Sequence, residues 1–234
     1  MNKSKIIVIE GTDGSGKETQ TKRLMEHLKN EGHKVFTTSF PKYESDSSAL
    51  VKMYLNGKIA ESANDVSAKA ASVFYAADRY ITYKKEMEGL YESGDYVMLF
   101  DRYSGSNIIH QGAKIVASLE NKKMAEMELQ NFIMWLYNFE HRDLCIPQPD
   151  VVIYLNVPVE YTEKLREGRK NKSNGAEKQD VHEADGSHLR NASKAGLMAA
   201  DMLKWNVVEC VKDDKMRTIE DIAEEVFEIV KNKI

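Results

Sequence analysis

The stretch that most limits what this chain can fold into is residues 5–29, "KIIVIEGTDGSGKETQTKRLMEHLK". Ile6 to Ile9 form an unbroken β-branched run, the pattern of a strand buried on both faces. The apolar residues Leu24, Met25 and Leu28 then fall at helical spacing over 17–29, and Gly32 stops that helix. Between the two lies G-x-x-x-x-G-K. Glycines at 11, 14 and 16 let the backbone turn so that successive amides point at phosphate oxygens. The following helix adds its partial positive N-terminus. Lys17 adds a full charge between the β and γ groups. Gly11, Thr12, Asp13, Gly14, Ser15, Gly16, Lys17, Glu18 and Thr19 therefore read as a nucleotide-binding stretch.

One residue breaks the pattern. The position after Lys17 should carry a Ser or Thr hydroxyl for Mg²⁺ and carries Glu18 instead. Two like unit charges a few ångströms apart repel by ~4 kcal/mol at an effective dielectric of 20. Glu18 either points outward, where it favours the helix N-terminus, or meets the phosphates through Mg²⁺ as an oxygen ligand. Thr19 does not replace the missing hydroxyl. It sits about 100° further round the helix and is better placed for an α-phosphate oxygen.

The rest of the chain alternates in the same way. "HKVFTTSF", "DYVMLFD", "PDVVIYLNVP" and "WNVVECV" read as four more strands. Helical spacing covers 49–91, interrupted near Gly57 and before Asp65. It returns over Met124 to Phe139 and in "TIEDIAEEVFEIVKNK", where Thr218 is placed to cap Asp221. The expected fold is a single α/β domain over 1–234, a three-layer P-loop NTPase architecture. Its five-stranded parallel sheet is flanked by helices. Residues 169–187 are polar and rich in small and charged side chains, which suits a mobile lid over about 166–187.

Bulk properties remove several function classes. A net charge of −4 gives no electrostatic reason to expect nucleic acid or a membrane surface. Two cysteines without a C-x-x-C suit a reducing compartment. No apolar run approaches the ~18 residues that span a bilayer, and the apolar part of the N-terminus is too short for a signal peptide. A cytoplasmic location is the expectation.

With these motifs in order, the chain resembles the thymidylate kinases along almost its whole length. "EGTDGSGK-TQ" resembles the family's loop. Phe40–Pro41 follows the second strand, as F-P or E-P does there. "FYAADR" resembles its F-x-A-x-R helix, "DRYSGSNIIHQG" its D-R-Y-x-x-S segment, and "PDVVIYLNVP" its P-D-x-x-x-x-L-x-V-P strand. "DVHE", Asp180 to Glu183, falls where many bacterial members carry an acidic motif after the lid.

The resemblance implies transfer of the γ-phosphate of ATP to dTMP, giving dTDP and ADP for dTTP synthesis, with Mg²⁺ as cofactor. It implies Asp101 as the carboxylate that orients the metal, with Glu18 as a second candidate ligand. A dianionic acceptor needs cationic clamps, and Arg79 and Arg102 supply planar guanidinium forks. Asp13, Pro41, Tyr43, Phe74, Ser106, Asn107, His110 and Gln111 complete the implied acceptor site, with Phe74 stacking on thymine. Lys17, Asp13, Arg102 and the lid arginines Arg166 and Arg169 are the implied catalytic set, because charge spreads over equatorial phosphate oxygens in the transition state. Homodimers, packed through long helices on one side of the sheet, are usual in the family.

His110 stands where many bacterial relatives carry a Tyr that crowds the sugar 2′ position, so weaker sugar discrimination or altered base preference is expected. Asn156 stands where an Asp is common. Two other readings stay open: a P-loop kinase for another (deoxy)nucleoside monophosphate, and a nucleotide-binding homologue that has lost turnover. A GTPase switch would need N-K-x-D, and "NKSN" at Asn171 lacks the Asp.

Overall fold

The computed structural model describes residues 3–60, 62, 65–166 and 186–234. Five parallel strands make the sheet: β1 (Lys5–Gly11), β2 (Lys34–Ser39), β3 (Tyr96–Asp101), β4 (Val151–Asn156) and β5 (Asn206–Glu209), in the order β2-β3-β1-β4-β5. The β-branched run of β1 takes the centre, between β3 and β4, and is buried on both faces. Ile7 and Ile9 pack into one core with Leu24 and Leu28 of α1 (Lys17–Asn30) and with Val226 and Val230 of α9 (Ile219–Lys231). Ile6 and Val8 point the other way, into a second core with Phe40, Met87, Met98, Phe100 and Tyr103. The expected three layers and parallel sheet are present.

The second face carries most of the helices. These are α2 (Ala49–Leu55), α3 (Ala68–Thr82), α4 (Glu88–Ser93), α5 (Ser104–Ser118), α6 (Lys122–Asn138) and α8 (Gly186–Leu203), with α7 (Val159–Arg166) following β4. A core of Ile108, Leu129, Phe132, Ile133, Leu136, Ala195 and Ala199 joins α5, α6 and α8. Close approach there depends on missing side chains. A Cβ on Gly112 would come within 2.8 Å of Leu129, and one on Gly196 within 2.5 Å of the Tyr154 hydroxyl.

Three features differ from the periodicity reading. The strand expected over "WNVVECV" ends at Glu209, and the chain then forms a short antiparallel hairpin, β6 (Val211–Lys212) and β7 (Lys215–Met216). Asp213 and Asp214 adopt positive φ there, the geometry of a tight hairpin turn. Helices α3 and α6 each run on into a π-helical turn, Tyr83–Met87 and Phe139–Asp143. A single inserted residue makes such a turn, and a 3.6-residue period does not reveal it. Most of the expected lid lies outside the described residues.

Candidate active site

β1 delivers the loop at the carboxyl ends of the strands, where open α/β sheets bind ligands. Ile9 is in register with Asp101 of β3, and Gly11 with Leu155 of β4. Gly14 and Gly16 take φ of 86° and 85°, a conformation that a Cβ disfavours, and Gly16 leads directly into α1. The loop thus adopts the strand–turn–helix course that its sequence implies. Lys17 is buried and its ammonium donates to the Thr12 carbonyl at 2.7 Å. Burial and the neighbouring Arg102 guanidinium lower its pKa to about 8, although Asp13, Asp101 and Glu10 act in the opposite direction.

Opposite the loop, Arg102 follows β3 with φ of 70°, a left-handed conformation costing roughly 1–2 kcal/mol for a residue with a side chain. Three contacts hold it there. Its amide donates to the Ile9 carbonyl at 3.1 Å, Nη2 pairs with the Asp13 carboxylate, and Nη1 lies 3.1 Å from His110 Nε2. Burial pulls the guanidinium down, but Asp13 and Asp101 more than offset this and raise its pKa. Burial pushes the Asp13 carboxyl up, yet Arg102 foremost, then His110 and Lys17, hold it well below the usual carboxylate range. Burial lowers His110 to about 3, so its imidazole is neutral at physiological pH and Nε2 is free of a proton to accept from Arg102. The His188 ring of α8 stacks on His110 with centroids 5.9 Å apart and planes 12° from parallel.

Behind this group lies a fully buried carboxylate, Glu10, in the last turn of the sheet strand. It accepts from the Tyr103 amide at 2.8 Å and from the Ser106 hydroxyl at 2.5 Å. Tyr103 precedes α5 and caps it with no side chain of its own, so Glu10 serves as the helix cap from another element. A Cβ on Gly105 would fall 2.8 Å from the Glu10 oxygen. Burial raises the Glu10 pKa, against Ser106, Tyr103, Arg102 and Lys17. This tie locks the phosphate-loop strand to the helix carrying Asn107, His110 and Gln111.

The residues singled out from sequence fall into three groups. Asp13, Lys17, Asp101, Arg102 and His110 converge, linked by the contacts and charges above. Pro41 and Tyr43 lie in the turn after β2, fastened to α3 by the Lys42 amide, which donates to Asp78 at 2.9 Å. Asn107 and Gln111 stand one turn apart on α5, each with a buried side-chain oxygen that has no partner among the described residues. Ser106, expected at the base edge, is spent on Glu10. Phe74, expected to stack on a base, packs beside Tyr54 with centroids 6.0 Å apart, in a cluster with Val66 and Ala71.

Arg79, expected to hold the acceptor by its base or its phosphate, is 2% exposed and its fork is taken by Glu140. Nε donates at 2.6 Å and Nη2 at 2.5 Å. Glu18 lies 3.0 Å from Lys22 on the exposed side of α1 with 45% of its side chain accessible, the outward of its two arrangements. The Arg166 side chain and Arg169 lie outside the described residues, as does the Asp180–Glu183 motif.

Asp101 is the other residue implied for the metal. Its Oδ1 is buried without a partner among the described residues, at the strand end beside Lys17 and the loop. A bare carboxylate oxygen next to a phosphate cradle is a donor that suits Mg²⁺, directly or through water. No cluster of three His, Cys, Asp or Glu side chains is arranged around a common point among the described residues. One carboxylate plus phosphate oxygens and water is a coordination mode that Mg²⁺ favours.

Sequence reasoning missed Glu10, Glu140 and His188. A carboxylate inside the run "IIVIEG" was the available signal for Glu10, since a buried charge must find donors. For Glu140 and His188 the sequence offers no comparable sign.

Residues 9–193 match the family model described as Thymidylate kinase. The chain belongs to the thymidylate kinase family. Curated relatives extend over the same length. A thymidylate kinase of Caldicellulosiruptor saccharolyticus is 29% identical over 229 residues, covering 97% of this chain and 96% of its own. That of Mycobacterium tuberculosis H37Rv is 30% identical over 181 residues, covering 77% and 78%. Among solved structures, the thymidylate kinase of Candida albicans superposes with a TM-score of 0.69 over 98% of this chain and 92% of its own, at 22% identity. That structure supports the fold: a five-stranded parallel sheet flanked by helices, as in P-loop kinases.

Proposed function

We propose that this member of the family transfers the γ-phosphate of ATP to dTMP, giving dTDP and ADP. The observation that carries the reading is the junction of Asp13 and Arg102. A carboxylate from the phosphate loop and a guanidinium from the opposite strand meet, so one cleft has a cradle on one side and a cationic clamp on the other. A pure nucleotide binder has no use for the second. In this reading the loop amides and Lys17 hold the ATP phosphates, and Thr19 bonds an α-phosphate oxygen. Arg102 holds the acceptor phosphate in line with the γ group, and Asp13 and neutral His110 aim its guanidinium. Asn107 and Gln111 offer hydrogen bonds to the base. Asp101 would hold Mg²⁺, which when bound neutralises charge on the bridging phosphate oxygens. Arg166 and Arg169 complete the cationic shell from the lid. The family relationship supports phosphate transfer.

A homodimer and a cytoplasmic location belong to the same proposal. No helix among the described residues is long and apolar enough to cross a membrane. The test is an ADP-release assay with Mg·ATP and a panel of dTMP, dUMP, UMP, dCMP, dAMP and dGMP. The reading expects dTMP to have the highest kcat/KM. A higher value for another monophosphate moves the assignment to that acceptor. No ADP release with any pyrimidine monophosphate overturns it.

A further inference from the structure

Helix α8 has no slack where it meets α5 and the sheet. A Cβ on Gly112 of α5 would come within 3.1 Å of the Ala195 Cβ. Gly196 lies so close to the Tyr154 ring of β4 that a Cβ there would also meet ring carbons at 2.7 Å. Ala192, Ala195 and Ala199 are all buried. Elements that touch through backbone and methyl groups cannot slide or turn without a clash or a void. The placement of α8 is therefore fixed from two directions.

His188 lies on the Ala192–Ala195–Ala199 face of α8, about two turns before Ala195. Its ring lies against that of His110 as an offset stack, with planes 12° from parallel. The edge of His110 carries the working contact, Nε2 to Arg102 Nη1 at 3.1 Å. Because the imidazole is neutral, Nε2 accepts and the ring proton sits on Nδ1. That tautomer decides which nitrogen faces Arg102. It does not decide the tilt of the ring, since the torsion about the histidine Cβ–Cγ bond is broad. The flat face of His188, carried on a fixed helix, removes that freedom. The tilt matters because Asp13 grips Arg102 only at Nη2, and a fork held at one nitrogen pivots about it. His110 is the second point that stops the pivot.

We infer that His188 is a positioning residue for phosphate transfer: its ring holds the plane of the His110 imidazole, so that Nε2 stays on Arg102 Nη1 and the guanidinium stays aimed at the acceptor phosphate. The inference rests on the acceptor-clamp reading above. His188 touches no reacting atom in this account and acts only through His110 and Arg102.

The experiment compares wild type, His188→Leu and His188→Phe. Leucine keeps an apolar side chain at the position but has no flat face. Phenylalanine keeps the flat face without ring nitrogens. His188→Leu is expected to lower kcat for dTMP by at least about tenfold, with KM for ATP within about twofold of wild type. His188→Phe is expected to recover most of that loss. If His188 only packs α8, both variants shift the melting temperature and leave kcat unchanged, and that result overturns the inference. An equal loss of kcat in both variants overturns it too, because the effect would then lie in the ring nitrogens of His188 and not in its face.

Nitrogen NMR of the histidine rings, without any nucleotide, reads the same contact directly. His110→Asn identifies the His110 signals by their loss. Wild type is expected to show His110 as a single neutral tautomer, with one protonated and one bare nitrogen well separated in shift. In His188→Leu the two shifts should move towards each other as the ring leaves Arg102 and both tautomers populate. Unchanged shifts in that variant overturn the inference, as does a wild type whose His110 tautomers are already averaged, which needs no variant to fold. Because these spectra need no turnover, failure of phosphate transfer and failure of the positioning argument are seen separately.

Discussion

Lys17 is where residue-scale electrostatics should be measurable. Its amine is buried beside Arg102, which lowers its pKa to about 8, while Asp13, Asp101 and Glu10 supply partial compensation. A polyphosphate favours the ammonium and raises that pKa. Below pH 8 the lysine is already protonated before binding; above it, binding must draw a proton from solvent. With metal-free ATP, calorimetry in buffers of different ionisation enthalpy should therefore show net proton uptake rising from pH 7 to pH 8.5. Lys17→Arg, whose guanidinium does not titrate, should keep only the part of that rise that comes from the ATP γ-phosphate. Equal uptake at both pH values would contradict the assignment. Glu18 gives the opposite kind of prediction. Its carboxylate pairs with Lys22 on the exposed face, so Glu18→Ala should leave the Mg²⁺ dependence of activity within about twofold and cost under ~0.5 kcal/mol of stability. At this scale the sequence announced loop residues well, because glycines and a lysine at fixed spacing have few alternative uses. It announced partners poorly. That Arg79 would meet Glu140, 61 residues away, or that Ser106 would turn back to Glu10, depends on which elements the fold brings side by side.

Elements declare themselves in sequence when their ends carry chemistry. Thr218 does so: its hydroxyl accepts from the Asp221 amide at 3.1 Å and starts α9, whose apolar stripe of Ile222, Val226, Phe227 and Val230 packs under the sheet. Thr218→Ala should cost about 1 kcal/mol in urea unfolding, while Thr218→Ser should cost little. Helix α5 is the contrary case. No residue of its own caps its first turn, and "DRYSGSNIIHQG" has a resemblance but no periodicity strong enough to mark a helix start. Its cap comes from Glu10, and that cross-element bond lies one residue past the left-handed Arg102, between β3 and α5. Glu10→Gln keeps a carbonyl for one of the two donors and offers its NH₂ to the other. It is expected to lower kcat for the acceptor at least tenfold, through a displaced Arg102, with a smaller effect on ATP affinity measured by calorimetry. An equal loss of both would mean that Glu10 supports the loop rather than the helix. The two π-helical turns were illegible for a simpler reason. Each inserts one residue into a regular repeat, and one of them carries Glu140 into the interior.

For the whole molecule, the parallel sheet was legible because five apolar runs separated by helical patterns leave few other architectures. What lies beyond the single chain was not, because an apolar residue in a helix looks alike whether it meets its own core or a second copy. The structure shows which of these residues its own core leaves uncovered. Helix α6 buries Leu129, Phe132, Ile133 and Leu136, yet leaves Met127 and Met134, seven residues apart, 55% and 45% exposed. Val73 and Tyr80, also seven apart, are exposed on α3. The two helices are linked where the Lys69 ammonium of α3 lies 5.2 Å over the Trp135 ring of α6. Each of these neighbouring helices leaves an apolar pair exposed at a two-turn repeat, and long flexible methionines suit packing against another copy. A two-fold interface here would be isologous, so each added charge enters it twice. Met127→Glu with Met134→Glu should therefore split the proposed dimer, raising its dissociation constant at least about 100-fold. Both positions are solvent-exposed in the lone chain, so the monomer's own stability should move by less than ~1 kcal/mol. Light scattering on an eluting column is the measurement. Wild type at micromolar concentration should give about twice the chain mass of 26.7 kDa and the double variant the chain mass itself. A wild type that runs as a monomer, or a variant that stays dimeric, would move the interface away from α3 and α6.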